Sequence, residues 1–257
     1  MDPKDVIIAT PTFYPKGIDD PRFGFAARTV SAAFHNGYPM CVVDGSPDER
    51  VRERFKTLGA RVFPELNKGL GPNKRQSVYV AMETARDLGA SFIAMIEPEK
   101  FDMIRLLPQW IAPLSKGADV VVAHRSEESW KTYPAFQVET EQEANRAFRD
   151  AIGLPLDIMF GPVAFRVGTA LNFFLNPFEH LLLTVLDTYI QHYAAIVART
   201  KGLRVVASEP LDFEYPPEQR KQEEDALNDA IRAKRISQRD TLIHAYKTFA
   251  AQYGFRS

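Results

Sequence analysis

The 257-residue sequence contains one cysteine, Cys41. A single thiol closes no internal disulfide, which excludes a disulfide-stapled scaffold and suits a reducing compartment. Cys41 stands in the apolar run Met40-Cys41-Val42-Val43, where a buried core thiol is expected rather than a nucleophile. Neither charge is in surplus: the formal net charge is -1. That excludes the overall basic character of a protein that wraps nucleic acid or coats an anionic membrane. Apolar runs such as Leu181-Leu182-Leu183 break well before the ~20 residues of a membrane-spanning helix. The opening Met1-Asp2-Pro3-Lys4-Asp5 lacks the basic-then-apolar order of a signal peptide, so a soluble, cytoplasmic protein is expected. Neither a P-loop nor a Gly-x-Gly-x-x-Gly dinucleotide loop is present, which removes two common phosphate cradles.

An apolar share of 45% beside 25% charged residues belongs to a folded α/β domain. Val6-Ile7-Ile8-Ala9, Met40-Cys41-Val42-Val43, Arg61-Val62-Phe63, Phe92-Ile93-Ala94-Met95-Ile96 and Asp119-Val120-Val121-Val122-Ala123 read as buried strands. Continuous apolar strands separated by helical segments predict a mostly parallel central sheet covered on both faces. Val78, Ala81, Met82, Ala85 and Leu88 recur at helical spacing, as do Leu182, Val185, Leu186, Tyr189, Ile190, Tyr193 and Val197; both stripes read as core. After Pro216-Pro217 the composition turns charged, and Leu242, Ile243, Tyr246, Phe249 and Tyr253 then recur helically. The expected layout is a domain over 1–215, with a nucleotide half to about 125 and an acceptor half from 126, then a helical tail over 216–257. The tail's apolar face could dock on the body or on a second subunit, which leaves a homo-oligomer open.

Open parallel sheets bind ligands beyond the carboxyl ends of their strands, and here those ends are polar. Asp44-Gly45-Ser46-Pro47-Asp48 offers a carboxylate that can accept hydrogen bonds from a base or ribose, with Gly45 allowing close backbone approach. Asn67-Lys68-Gly69-Leu70-Gly71-Pro72-Asn73-Lys74-Arg75 joins a flexible loop to cations just before a helix, an arrangement suited to a diphosphate. In Glu97-Pro98-Glu99 two carboxylates lie on one side of an extended chain, the oxygen ligands that suit Mg2+ or Mn2+. His124-Arg125 supplies candidate acceptor or phosphate contacts.

In that order, these stations resemble a GT-A-fold glycosyltransferase of the family 2-like kind. Thr10-Pro11-Thr12 looks like the family's first nucleotide-contacting loop. Val42-Val43-Asp44-Gly45-Ser46-Pro47-Asp48 is similar to Val-Val-Asp-Asp-Gly-Ser-x-Asp, shortened by one Asp. Asn67-Lys68-Gly69 resembles the Asn-x-Gly segment before the Asn/Arg-bearing helix, and Glu97-Pro98-Glu99 stands at the Asp-x-Asp position. Phe160-Gly161-Pro162-Val163-Ala164-Phe165-Arg166 is similar to the strand that shapes the acceptor site, which implies acceptor roles for Gly161 and Arg166. Pro72-Asn73-Lys74 and Asp187-Thr188-Tyr189 have a weaker likeness to mannosylglycerate synthase-type retaining enzymes.

The resemblance implies transfer of a hexosyl group from a UDP- or GDP-sugar to a small hydroxyl acceptor, which could be an anion such as glycerate. Thr10, Pro11, Thr12 and Asp44 would hold the nucleoside, and Lys74 and Arg75 the diphosphate. Glu97 and Glu99 would hold the ion or face the sugar, and Asp187 would act as general base or orient the acceptor. Two alternatives remain open at this point. A nucleotidyltransferase shares much of this topology, but Thr12-Phe13-Tyr14-Pro15-Lys16 stands where its glycine-rich loop belongs. A catalytically silent nucleotide- or sugar-binding protein would tolerate Glu-Pro-Glu at the metal position.

Overall fold

The computed structural model describes residues 1–169, 189–225 and 229–255. Seven strands, β1 (Val6–Thr12), β2 (Met40–Asp44), β3 (Arg61–Pro64), β4 (Phe92–Met95), β5 (Val120–Arg125), β6 (Val163–Arg166) and β7 (Val205–Leu211), form one sheet in the order β3-β2-β1-β4-β6-β5-β7. β1 pairs parallel with β2 and β4, β2 with β3, and β5 with β7. β6 runs antiparallel between β4 and β5. The mostly parallel sheet expected from the apolar runs is present, with one strand reversed.

Among the described residues the helices include α1 (Phe23–His35), α2 (Glu49–Thr57), α3 (Leu70–Leu88), α4 (Asp102–Trp110), α5 (Ala112–Ser115), α6 (Glu127–Lys131), α7 (Ala135–Ile152), α8 (Ile190–Thr200), α9 (Pro217–Asp225) and α10 (Asp229–Tyr253). Side chains alternate along a strand, so each central strand feeds two cores. Ile7, Ile93, Val120 and Val122 join α3, α7, α8 and α10 in one cluster, while Val6, Ile8, Ala94 and Val121 join α1, α2 and α4 in the other. This two-sided burial is the reason those strands read as unbroken apolar runs. Cys41 is fully buried and its thiol donates to Thr84 Oγ1 at 3.3 Å, as the core reading requires. In α3, Val78, Ala81, Met82 and Ala85 are buried, but Leu88 in the last turn is 47% exposed.

The C-terminal helix packs as part of the body. Leu242, Ala245, Tyr246 and Phe249 of α10 belong to the same core as the sheet, and the Phe148 ring meets Tyr246 edge-on at 5.0 Å. Tyr246 also lies 2.6 Å from His192 Nδ1 through its hydroxyl. Burial, together with the nearby Lys74 charge, drives His192 down to about 3, so this is a bond between neutral groups. Tyr246→Phe removes it and is expected to cost about 1 to 2 kcal/mol. Urea denaturation checks this, and an unchanged midpoint would contradict it.

Candidate active site

The carboxyl ends of β1, β2 and β4 lie at one edge of the sheet, and α3 brings its first turn there. Gly69 precedes the helix with φ 123, a backbone that side-chain-bearing residues rarely adopt. The Asn73 side-chain amide donates to the Thr12 carbonyl at 3.3 Å, tying that turn to β1. This contact identifies Nδ2 as the donor. Asn73 Oδ1 is then left buried without a hydrogen-bond partner among the described residues, able to receive an N–H from a base.

Asp44 lies beneath this station. Its side chain is 0% exposed, and Oδ1 accepts from Thr12 Oγ1 at 2.8 Å and Ser46 Oγ at 2.6 Å. Oδ2 accepts from Arg52 at 3.3 Å. Two hydroxyls and a guanidinium stabilise the inward rotamer better than a solvated turn would. In this arrangement Asp44 orients Thr12 and Ser46 and presents no free carboxylate. Thr10 is likewise buried, donating to the Ile96 carbonyl at 2.5 Å, and Pro11 is inside the strand register opposite Val43. The carboxylate that covers Gly45 belongs to Glu65: a Cβ added to Gly45 would fall 2.3 Å from its Oε2.

Lys74, in the first turns of α3, is only 5% exposed and donates to Gln191 Oε1 of α8 at 3.0 Å. Burial lowers its amine to about 8, with Glu97 opposing and Lys100 adding to the shift. Arg75 is half-buried, and burial lowers its guanidinium too.

β4 ends at the metal station of the resemblance. Glu97 is paired with the Lys100 ammonium, which also donates to the Phe160 carbonyl. Gly161 has φ 102, and a Cβ there would fall 2.8 Å from Glu97 Oε1, so bare backbone is required beside this carboxylate. Burial pushes Glu99 up to about 7, with the Glu97 charge adding to the shift. Between its usual 4.5 and about 7, the folded chain keeps a proton that the unfolded chain releases. Stability therefore falls as pH rises through that window and levels off above it. In metal-free protein, Glu99→Gln is expected to gain roughly 2 to 3 kcal/mol at alkaline pH and nothing below the window. Thermal melts on either side of it check this, and an equal gain at both would contradict it.

Beyond β4, a cavity of about 270 Å3 opens over the ends of β4, β5 and β7. Its lining includes Glu97, Glu99, Lys100, Gln137, Glu141, Tyr189, Gln191, Gln219, Arg235 and Gln238, drawn from the turn after β4, from α7, from the start of α8, and from α9 and α10. Arg125 forms part of the wall, but its guanidinium is engaged within the protein. It donates to Asp157 at 2.7 and 2.8 Å and to Glu141 at 2.7 Å, and it lies 3.6 Å from the Trp130 ring centroid. Among the described residues, no group of three or more His, Cys, Asp or Glu side chains is arranged to hold a metal.

No protein-family model matches the chain, and no curated protein matches it by sequence. Solved structures do. Glucosyl-3-phosphoglycerate synthase from Mycobacterium tuberculosis, in complex with Mn2+, UDP-glucose and phosphoglyceric acid, aligns at TM-score 0.52 and 15% identity over 94% of this chain and 79% of that one. The same enzyme with UDP aligns at TM-score 0.50 and 15% identity over 94% and 79%. With Mn2+, UDP and glucosyl-3-phosphoglycerate the values are 0.50, 14%, 93% and 79%. This chain has the GT-A fold.

Within the GT-A frame, Thr12, Asp44, Asn73 and Lys74 gather at one side of β4, and Glu97, Glu99 and Gly161 at its end. The reversed β6 carries Arg166 to the opposite edge. There Arg166 pairs with Phe92 at the start of β4 and donates to the Ala118 and Leu114 carbonyls at 3.0 and 2.5 Å. His124 faces a separate groove with Trp130, Asn145 and Arg149. Asp187 and the first part of the second apolar stripe lie outside the described residues. Glu65, Gln137, Gln191 and Arg235 were not singled out from the sequence. Isolated polar residues on helices and loop exits carry no motif, and only the packing of α7, α8 and α10 assembles three of them. No described helix is long and apolar enough to cross a membrane.

Proposed function

We propose that the chain is a nucleotide-sugar-dependent glycosyltransferase that moves a hexosyl group from a UDP- or GDP-sugar to a small hydroxyl acceptor. One observation carries this reading. The buried amine of Lys74 stands between the polar ends of β1 and β2 and the cavity beyond β4, held by a residue that lines that cavity. A diphosphate spanning the two regions would meet that amine and the backbone N–H groups at the start of α3. The nucleoside would then lie over Thr12 and Asn73, and the sugar and acceptor over Glu99.

Glu97 and Glu99 fit Mg2+ or Mn2+ in the mode where one or two carboxylates and substrate phosphates share the ion. No self-sufficient protein cage is required for that mode. A bound ion would neutralise the departing diphosphate. The chain's own contribution to the same end is Lys74, whose charge stabilises the leaving group. Lys100 holds the Glu97 carboxylate in place until the donor arrives. Asp187 is kept as the proposed base or acceptor-orienting group, and the acceptor as a small molecule, with an anion such as glycerate among the candidates. No nucleic-acid partner is proposed, and the working location is cytoplasmic.

A thermal-shift panel of UDP, GDP, UDP-glucose and GDP-mannose, with and without Mn2+, tests the reading. Stabilisation by one nucleotide class that strengthens with Mn2+ is the expected result. Stabilisation by a donor that is never turned over would favour a silent binding protein of the same fold. No stabilisation by any nucleotide would contradict the proposal.

A further inference from the structure

Gln137 lies in α7, is 7% exposed and lines the cavity beyond β4. Its side-chain nitrogen donates to Glu141 Oε1 at 2.7 Å. A carboxylate oxygen only accepts at neutral pH, so that contact settles the orientation of the amide. The Gln137 carbonyl oxygen is the other end. It is buried and has no hydrogen-bond partner among the described residues. A buried acceptor left in this state carries a desolvation penalty that a matching donor would relieve.

The amide is held from behind by a chain of charges. Glu141 accepts from Arg125 through Oε2 at 2.7 Å, and Arg125 is itself fixed by Asp157 and stacked on Trp130. Arg235 of α10 approaches the same Glu141 oxygen that Gln137 uses, at 3.7 Å. Gln137 therefore has little freedom to exchange the two ends of its amide, and its carbonyl oxygen is a fixed, unpartnered acceptor among the described residues, on a residue that lines the cavity.

Strand order says which part of a ligand arrives there. The nucleotide station lies over β2, β1 and the start of α3, whereas Gln137 belongs to the wall on the far side of β4, beside β5. We infer that Gln137 is a specificity-determining residue that receives a hydrogen bond from a hydroxyl group of the acceptor. This inference rests on the transferase reading and assigns one contact within it. A site built around a buried acceptor rejects an analogue that lacks the matching hydroxyl far more strongly than an apolar wall does.

Two variants remove the carbonyl oxygen. Gln137→Met removes both ends of the amide, while Gln137→Lys keeps a donor to Glu141. Melting curves report whether either perturbs folding. Wild type and both variants would be assayed with UDP-glucose and GDP-mannose against glycerol, D-glycerate, 3-phosphoglycerate and D-glucose. Saturation-transfer NMR of the same four compounds with UDP present would report binding directly. For the acceptor that wild type uses, both variants are expected to raise KM roughly tenfold or more. Donor KM and donor hydrolysis without acceptor would stay within about twofold. One deoxy analogue of that acceptor should lose a similar factor in wild type and nothing further in the variants, since both changes remove the same contact. Variants that fold, hydrolyse donor and keep the wild-type acceptor KM would overturn the assignment of Gln137 alone. A wild-type protein that binds none of the four compounds would also overturn it. Failure of wild type to bind or hydrolyse any donor would instead count against the transferase reading.

Discussion

Arg125→Met is expected to lower the melting temperature by roughly 10 °C, or about 3 to 5 kcal/mol. The guanidinium is almost wholly buried and neutralises Asp157 and Glu141, which are buried with it. Burial alone would raise Asp157, but the Arg125 charge and hydrogen bonds hold it below the usual carboxylate range. Asp157 therefore contributes stability above its ordinary value of 3.8, and that contribution is lost as the pH falls through its lower folded value. Without Arg125 the sign reverses: the stranded carboxylate costs more as pH rises. The gap between wild type and variant should widen from about pH 4 to pH 7. Adding Asp157→Asn and Glu141→Gln should recover part of the loss, because neutral partners need no buried counter-charge. Urea titrations at both pH values check this. A gap independent of pH would point to lost packing on Trp130 instead.

Lys74→Met is expected to weaken UDP or GDP binding about 10- to 100-fold while leaving the fold at least as stable. Buried lysine is costly as a cation, and its amine is already lowered to about 8. A diphosphate binds the protonated form and would raise the amine again. Wild-type affinity should therefore fall by up to tenfold per pH unit above about pH 8, as the amine loses its proton. The methionine variant should show the weaker affinity with no such slope. Calorimetric titrations on either side of that pH separate the outcomes. A variant that binds like wild type at neutral pH would remove Lys74 from the diphosphate site.

The parallel core was legible because strands buried on both faces show as uninterrupted apolar runs, and the polar ends of those runs marked the edge that carries the proposed site. The direction of β6 was not. Val163-Ala164-Phe165 has the same apolar pattern whichever way it runs, and its antiparallel pairing with β4 is what separates Gly161 from Arg166. Asp44 was legible as a strand-end carboxylate, yet its inward turn depends on Thr12 and Arg52, one of them distant in sequence. Arg125 was legible as a strand-end cation and a candidate acceptor or phosphate contact. Its partners Glu141 and Asp157 arrive only when α7 and the segment before β6 pack across β5. The apolar stripe of α10 predicted a docking face, and the structure places that face on the chain's own core. Gln137 and Arg235 reach the cavity through tertiary packing of amphipathic helices, where polar positions carry no local signal.

Glycosyl transfer itself is tested most directly by proton NMR of the product. The purified protein would be mixed with Mn2+, UDP-glucose or GDP-mannose, and each of the four small hydroxyl compounds. The expected result, for at least one pair, is a new glycosidic anomeric signal that grows in step with released nucleoside diphosphate. Nucleotide release without a glycoside, or neither product with any pair, would contradict it.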